Sequence, residues 1–373
     1  MSIKAFPNSL HSLLEQRREK GSLRSLKTNY PARDFSGNDY LGFSSTGILS
    51  AEVNKCLSSI KTGSTGSRLI SGNSFLYEEV EKEIAKFHHA ESALLYNSGY
   101  DANLGLLSCV PQKGDLILSD EFIHASLIDG IRLSYAVNYK FKHNDIPALT
   151  ELIARHKNTY KEIYVVVESV YSMDGDCAPL KEIANLCRES KVHLIVDEAH
   201  AIGVFGKNGR GLCEEVNIES DCFARIYTYG KAMGCHGAAI VGSEELRNYL
   251  INFSRSFIYT TALPEHSILT IKSAYNLLEH TSEIQTLKNN IHYFNTLINS
   301  HALFIESKSS IHCKLIPGNK AVQALEEKCS EHNLFVKAIK SPTVKEGRER
   351  VRICLHSFNT KQEIELLMEL LEN

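Results

Sequence analysis

The chain has no run of about eighteen consecutive apolar residues, no C-x-x-C pair and no excess of charge of either sign. The first absence excludes a membrane-spanning helix, which needs about 20 apolar residues. The second argues against a zinc site or a disulfide framework, since the ten cysteines stand singly from Cys56 to Cys354. Most of them read as small buried hydrophobes. Forty-one basic against 44 acidic residues, a formal charge of −3, leave no bias toward nucleic acid or an anionic membrane. Residues 1–20 turn polar and charged after Leu10 and hold no apolar signal-peptide core. The expectation is a cytoplasmic protein with reduced thiols. Internal repeats, low-complexity tracts and a Pro- or Gly-rich linker between independent halves are also lacking.

What is there is an ordinary globular balance: 373 residues, 43% hydrophobic and 23% charged, enough for two packed domains. Near-continuous apolar runs at 93–96, 115–118, 163–167 and 194–196 read as buried parallel strands with helices over both faces. Between them, Leu180, Ile183, Ala184 and Cys187 fall on one helical face, as do Val80, Ile84 and Phe87 within 79–88. This alternation predicts an α/β large domain over 51–262, after an N-terminal segment 1–50. Past Pro264 the pattern changes to a long helix at 267–278, strand-like pieces at 334–336 and 350–355, and a closing helix at 363–371. That predicts a smaller α+β domain over 263–373.

The sharpest chemical signal is Leu194-Ile195-Val196-Asp197-Glu198-Ala199-His200. It puts a carboxylate at the C-terminal end of a buried strand, where open α/β sheets bind ligands. Such a carboxylate is costly unless it meets a cation or a strong donor. A protonated pyridine nitrogen would satisfy Asp197; a bare helix cap is the plainer role. Further on, Tyr227-Thr228-Tyr229-Gly230-Lys231 follows another strand-like run and leads into Ala232-Met233-Gly234. A lysine flanked by glycines and apolar residues loses solvation, and desolvation lowers an amine's pKa and favours an imine with an aldehyde. The alternative is a lysine in a polar turn. Thr228 could give its hydroxyl to a phosphate. The glycine-rich 63–72 lacks the Lys-Ser/Thr of a P-loop and the G-x-G-x-x-G fingerprint, and no G-x-S-x-G elbow is present. His88 and His89 are adjacent on a predicted helix and cannot share one face, so a metal pair is not expected, and Cys235-His236 reads as packing rather than ligating.

Taken with these, the chain resembles the α-oxoamine synthases, fold-type I pyridoxal-phosphate enzymes of the aspartate aminotransferase superfamily. The resemblance rests on motifs in chain order: Asn38-Asp39-Tyr40-Leu41-Gly42, the segment Gly63 to Gly72, Ser98-Gly99-Tyr100-Asp101-Ala102-Asn103 and Asp120-Glu121-Phe122-Ile123-His124-Ala125-Ser126. Glu168 to Leu180 with Ser172-Met173-Asp174-Gly175-Asp176, then Ile258 to Pro264 and Arg350-Val351-Arg352, complete the set. It implies an aspartate aminotransferase-like large domain with a mixed, mostly parallel sheet and a smaller C-terminal domain.

The same resemblance implies pyridoxal 5′-phosphate carried by Lys231 as a Schiff base, with Asp197 on the pyridine nitrogen and His124 stacked on the ring. Lys231, His124 and Asp197 are thereby the expected catalytic residues. Gly99 and Tyr100 would cradle the cofactor, Ser172 and His200 would meet its phenolic oxygen, and Thr228 would bind phosphate, with Thr261 from a partner subunit. Arg352 would clamp an amino-acid carboxylate near Asn38, and Arg24 and Thr343 fall where the acyl substrate is contacted. The implied reaction is a decarboxylating condensation of an amino acid with an acyl-CoA or acyl-carrier thioester, in a homodimer with its active site at the interface. Ser71-Gly72-Asn73, Pro342-Thr343-Val344 and Leu355 to Thr360 look closest to members that join L-alanine to a pimeloyl thioester in biotin synthesis. Members that acetylate glycine come next, then those that use serine and palmitoyl thioester, and last the fold's non-catalytic subunits. Lys345 stands where the family usually has proline.

Overall fold

The computed structural model describes residues 6–24, 26, 28, 30–55, 57, 60–298 and 303–372. Cys56 lies outside them; the other nine cysteines are free thiols. Twelve strands occur in chain order among the described residues: β1 (Arg33–Asp34), β2 (Ser92–Tyr96), β3 (Leu116–Asp120), β4 (Val137–Phe141), β5 (Ile163–Glu168), β6 (His193–Asp197), β7 (Cys222–Thr228), β8 (Ala238–Gly242), β9 (Ile311–Leu315), β10 (Leu334–Phe335), β11 (Lys337–Ile339) and β12 (Arg350–Cys354).

Seven of them make one mixed sheet in the order β2-β8-β7-β6-β5-β3-β4. From β7 across to β4 the pairing is parallel, and β8 runs against both its neighbours. The expectation of parallel strands at 93–96 is corrected here. β2 pairs only with β8 and antiparallel, because the turn after β7 doubles the chain straight back along the sheet. Every residue of β3 and β5 is buried, which is why both read as unbroken apolar runs. The edge strand β4 mixes polar and exposed positions and gave no such signal.

Helices cover the sheet where the spacing of apolar residues requires them. Leu180–Ser190 buries Leu180, Ile183, Ala184 and Cys187. Phe75–Phe87 buries Tyr77, Val80, Ile84 and Phe87 along one side. The long helix starts directly after Pro264 and runs Glu265–His280, burying Ile268, Ile271, Ala274 and Leu278. Proline suits that start, where its missing N–H would have had no helical partner.

β11, β12 and β9 form a separate antiparallel sheet in that order. Helix Asn319–Glu331 packs on β11 and β12, and helix Lys361–Glu372 packs on Asn319–Glu331. Ahead of the large sheet, β1 pairs in parallel with β10, and Cys354 N–H donates to the Phe35 carbonyl at 2.8 Å. These bonds carry the segment that holds Asn38 to the strand that holds Arg352. Among the described residues, no helix is long and apolar enough to cross a membrane.

Candidate active site

Three parallel strands end side by side at one cavity. Glu168 at the end of β5 is in register with Asp197 at the end of β6, and β7 ends beside them at Thr228. This is the carboxyl edge of the sheet, where the backbone turns away and leaves a crevice. The chain after β2 closes one side. Ser98 caps helix Gly99–Cys109, its hydroxyl accepting from Asp101 N–H at 3.1 Å. The turn after β7 closes the other: Tyr229 N–H donates to Gly237 O at 3.0 Å and Cys235 N–H to Tyr229 O at 2.9 Å. Gly234 holds φ +63° in that turn, and a Cβ there would lie 2.6 Å from Ser44 N, so no larger residue fits. The cavity has a volume of about 300 Å³, and Lys231, Asp197, His200, His124, Thr228, Gly99, Asn38 and Tyr100 are among the residues that line it.

Lys231 Nζ lies 2.8 Å from His200 Nε2. Burial is the main cause that lowers this amine to about 8, and the carboxyls of Asp197 and Glu168 only partly oppose it. Behind His200 runs a chain of hydrogen bonds whose direction can be assigned. Asn38 Oδ1 receives both Arg352 Nη2–H at 3.0 Å and the Tyr40 hydroxyl at 3.2 Å. With that proton committed, the Tyr40 oxygen, 2.7 Å from His200 Nδ1, accepts from it. His200 Nε2 is then the acceptor that faces Lys231. Burial holds His200 far below its usual value and Tyr40 far above, so both stay neutral.

Asp197 is 4% exposed and uses its two oxygens differently. Oδ1 accepts Ala199 N–H at 2.9 Å, the turn-capping role that sequence alone left open, and Oδ2 accepts Asn103 Nδ2–H at 2.8 Å. Asn103 also donates to Ser126 Oγ at 3.0 Å, which lies 2.7 Å from His124 Nδ1. Burial first, then the Asp197 carboxylate, pushes Glu168 well above the ordinary carboxyl range. His124 is held below its usual value, chiefly by burial.

At the far end the Thr228 hydroxyl is buried and has no hydrogen-bond partner among the described residues. A Cβ on Gly99 would come within 2.3 Å of Thr228 Cγ2, so the helix start and the threonine touch only because residue 99 is glycine. An orphaned hydroxyl beside unshielded N–H groups at a helix start is a cradle for a phosphate. These residues fit a phosphorylated pyridine aldehyde: an amine, a carboxylate and an anion cradle in one cavity.

The remaining expected residues lie around this centre. Arg352 is buried, with Nε donating to the Ser172 carbonyl at 2.7 Å, so Ser172 meets the site through its main chain. Thr261 is exposed and outside the lining, its carbonyl accepting from Asn97 Nδ2–H at 2.8 Å. Arg24 and Thr343 are brought together, but in a separate groove of about 890 Å³ between the segment after helix Asn8–Glu19 and residues 337–343. Tyr40, Asn103, Ser126 and Glu168 belong to the site yet had no role assigned from sequence. Each sits inside a recognised motif, which was the available signal.

A family model described as aminotransferase class I and II matches residues 33–371. The chain is 39% identical to the 8-amino-7-oxononanoate synthase of Emericella nidulans, across 99% of this chain and 95% of that one. It is 34% identical to 8-amino-7-oxononanoate synthase 2 of Bacillus subtilis, across 96% and 95%. Among solved structures it resembles the 8-amino-7-oxononanoate synthase of Francisella tularensis at 32% identity and TM-score 0.76, covering 91% and 96%. A serine palmitoyltransferase of Sphingomonas wittichii superposes at TM-score 0.90 with 26% identity, covering 99% and 98%.

Proposed function

This chain belongs to the class I and II aminotransferase family and is a pyridoxal 5′-phosphate enzyme of the acyltransferase kind; we propose that it condenses L-alanine with a pimeloyl thioester. The products are 8-amino-7-oxononanoate, the free thiol and carbon dioxide. One observation carries the reading: Lys231, Asp197 and the unpartnered Thr228 hydroxyl line the same cavity.

When bound, the cofactor supplies an aldehyde that joins an amine and a protonated ring that withdraws electrons from the adjoining carbon. The chain supplies the rest. Thr228 and the N–H groups at Gly99 and Tyr100 bind the phosphate. Asp197, kept in place by Asn103 and the Ala199 N–H, holds the pyridine nitrogen protonated. Arg352 takes the alanine carboxylate, with Asn38 fixing the guanidinium. Lys231, half neutral near pH 8, removes the α-proton of alanine and returns one after carbon dioxide leaves. His200 accepts from the Lys231 amine and keeps its lone pair aimed inward. His124 covers the ring face and excludes water there. The acyl chain runs toward the groove of Arg24 and Thr343, whose guanidinium suits the distal carboxylate of pimelate. The enzyme works as a cytoplasmic homodimer in which Thr261 reaches the partner's phosphate.

Alanine, glycine and serine, each offered with pimeloyl-CoA, acetyl-CoA and palmitoyl-CoA, test this directly. The reading expects alanine with pimeloyl-CoA to give the highest kcat/KM. Glycine differs from alanine by one methyl, worth about 1–3 kcal/mol in an apolar pocket, so it reacts more slowly but measurably. A preference for glycine with acetyl-CoA, or for serine with palmitoyl-CoA, overturns the substrate assignment.

A further inference from the structure

Outside the cavity, two carboxylates and a histidine meet at one point. His143 Nδ1 lies 3.0 Å from Asp120 Oδ1, and His143 Nε2 lies 2.7 Å from Asp176 Oδ2. Carboxylates only accept, so the ring donates from both nitrogens and is an imidazolium. The two aspartates raise it to about 10 in spite of burial, in keeping with that count. The ring is stacked on Phe122 at 4.6 Å and meets the edge of Tyr171 at 4.4 Å. Its main-chain N–H donates to Glu121 Oε1 at 3.3 Å, and the next residue, Asn144, donates Nδ2–H to Asp176 Oδ2 at 2.8 Å. Both ring nitrogens are thus used, and among the described residues no group of three or more His, Cys, Asp or Glu is placed to hold a metal.

The two aspartates belong to two different walls of the site. Asp120 ends β3 and accepts Phe122 N–H at 2.8 Å, which shapes the turn delivering His124. Asp176 closes the turn 171–176, where Tyr171 N–H donates to Asp176 O at 3.0 Å. That turn offers the Ser172 carbonyl to Arg352 Nε, and its Asp174 pairs with Arg350. His143 bonds both carboxylates through its ring, and Asn144 joins the same two, its main-chain N–H donating to Asp120 Oδ2 at 2.9 Å and its side chain to Asp176. We infer that His143 is a positioning residue, a charged brace that sets the distance between the His124 wall and the Ser172–Arg352 wall. Through it, the ring-covering group and the carboxylate clamp keep one spacing. This inference rests on the cofactor and amino-acid roles proposed above.

The test compares the wild-type holoenzyme with His143→Gln and Asp176→Asn holoenzymes. A glutamine is uncharged and its single amide nitrogen cannot stand where both ring nitrogens stand, and an asparagine at 176 removes the second carboxylate's charge. Two readouts are taken well below each protein's thermal midpoint: the visible circular dichroism of the bound cofactor, and the apparent Kd for alanine from its change of the visible band. Both variants are expected to alter the dichroism and to weaken alanine by on the order of tenfold, because the carboxylate clamp is no longer held at its distance from the ring-covering group. If His143→Gln does not fold, Asp176→Asn decides alone. Unchanged dichroism with alanine affinity within twofold of wild type, whatever the shift in Tm, overturns the inference and leaves His143 a stabilising contact. A wild type whose visible band does not respond to alanine overturns the underlying reading of the site instead, and the inference with it.

Discussion

At pH 7 an ordinary lysine is neutral only about three times in ten thousand, whereas an amine lowered to about 8 is neutral roughly a tenth of the time. That gain in free base is what the burial of Lys231 achieves, and it carries a sign. Below pH 8 the folded protein's amine gains a proton and loses its lone pair; above it the lone pair is free. The rate at which apoenzyme takes up pyridoxal phosphate should therefore rise with pH through one step near 8 and then level off. A step near 10 would show that Lys231 is solvated like a surface lysine. Lys231→Ala should stay folded yet leave no cofactor fixed by borohydride reduction and peptide mapping. At Asp197 the prediction concerns charge alone. Asp197→Asn keeps an acceptor for the Ala199 N–H but cannot hold a pyridine nitrogen protonated. Exchange of the alanine α-proton into deuterated solvent should fall by on the order of a hundredfold or more, as expected when a stabilising charge is lost from a site. Exchange at the wild-type rate would reduce Asp197 to its turn-capping bond.

The elements explain why some of this could be read in advance. The contact of helix Gly99–Cys109 with β7 depends on the missing Cβ at 99. Gly99→Ala should force Thr228 or the helix start outward and weaken the cofactor by about tenfold or more, while Thr228→Val, of nearly equal volume, should weaken it through loss of the hydroxyl alone. Equilibrium dialysis of the cofactor checks both, and unchanged affinity in both would move the phosphate elsewhere. That Gly99, Lys231 and Asp197 meet at one cavity was legible because each sits in a short motif at a strand or helix end; the roles given to them are those proposed above. The buried strands β3, β5 and β6 were legible as unbroken apolar runs. The pairing of β2 was not, since an apolar run looks the same whether its neighbour is parallel or, like β8, runs the other way. Nor was the chain Asn38–Tyr40–His200–Lys231, which joins residues 160 positions apart in sequence. Local pattern names the participants; only the folded topology introduces them.

Across the whole molecule, the expected cofactor residue Thr261 is the one that stands exposed outside the cavity of its own chain. Leu69, Ile70, Phe75 and Tyr259 are also exposed, large apolar side chains of the kind that mark an interaction face when they cluster. In the homodimer proposed above, this face is the one expected to be buried. Sedimentation should accordingly give a dimer, with activity falling on dilution as subunits part and Thr261→Ala weakening cofactor binding without lowering Tm appreciably. A monomer that stays fully active would contradict that assembly. The central claim, that this cavity joins alanine to a pimeloyl thioester with loss of the carboxyl group, has one direct measurement. Alanine labelled with ¹³C at the carboxyl carbon is incubated with pimeloyl-CoA and the enzyme, and gas and product are weighed by mass spectrometry. The account predicts one labelled carbon dioxide and one free CoA for each unlabelled 8-amino-7-oxononanoate, all abolished in Lys231→Ala. Label retained in the product, or turnover that survives the loss of Lys231, would contradict it.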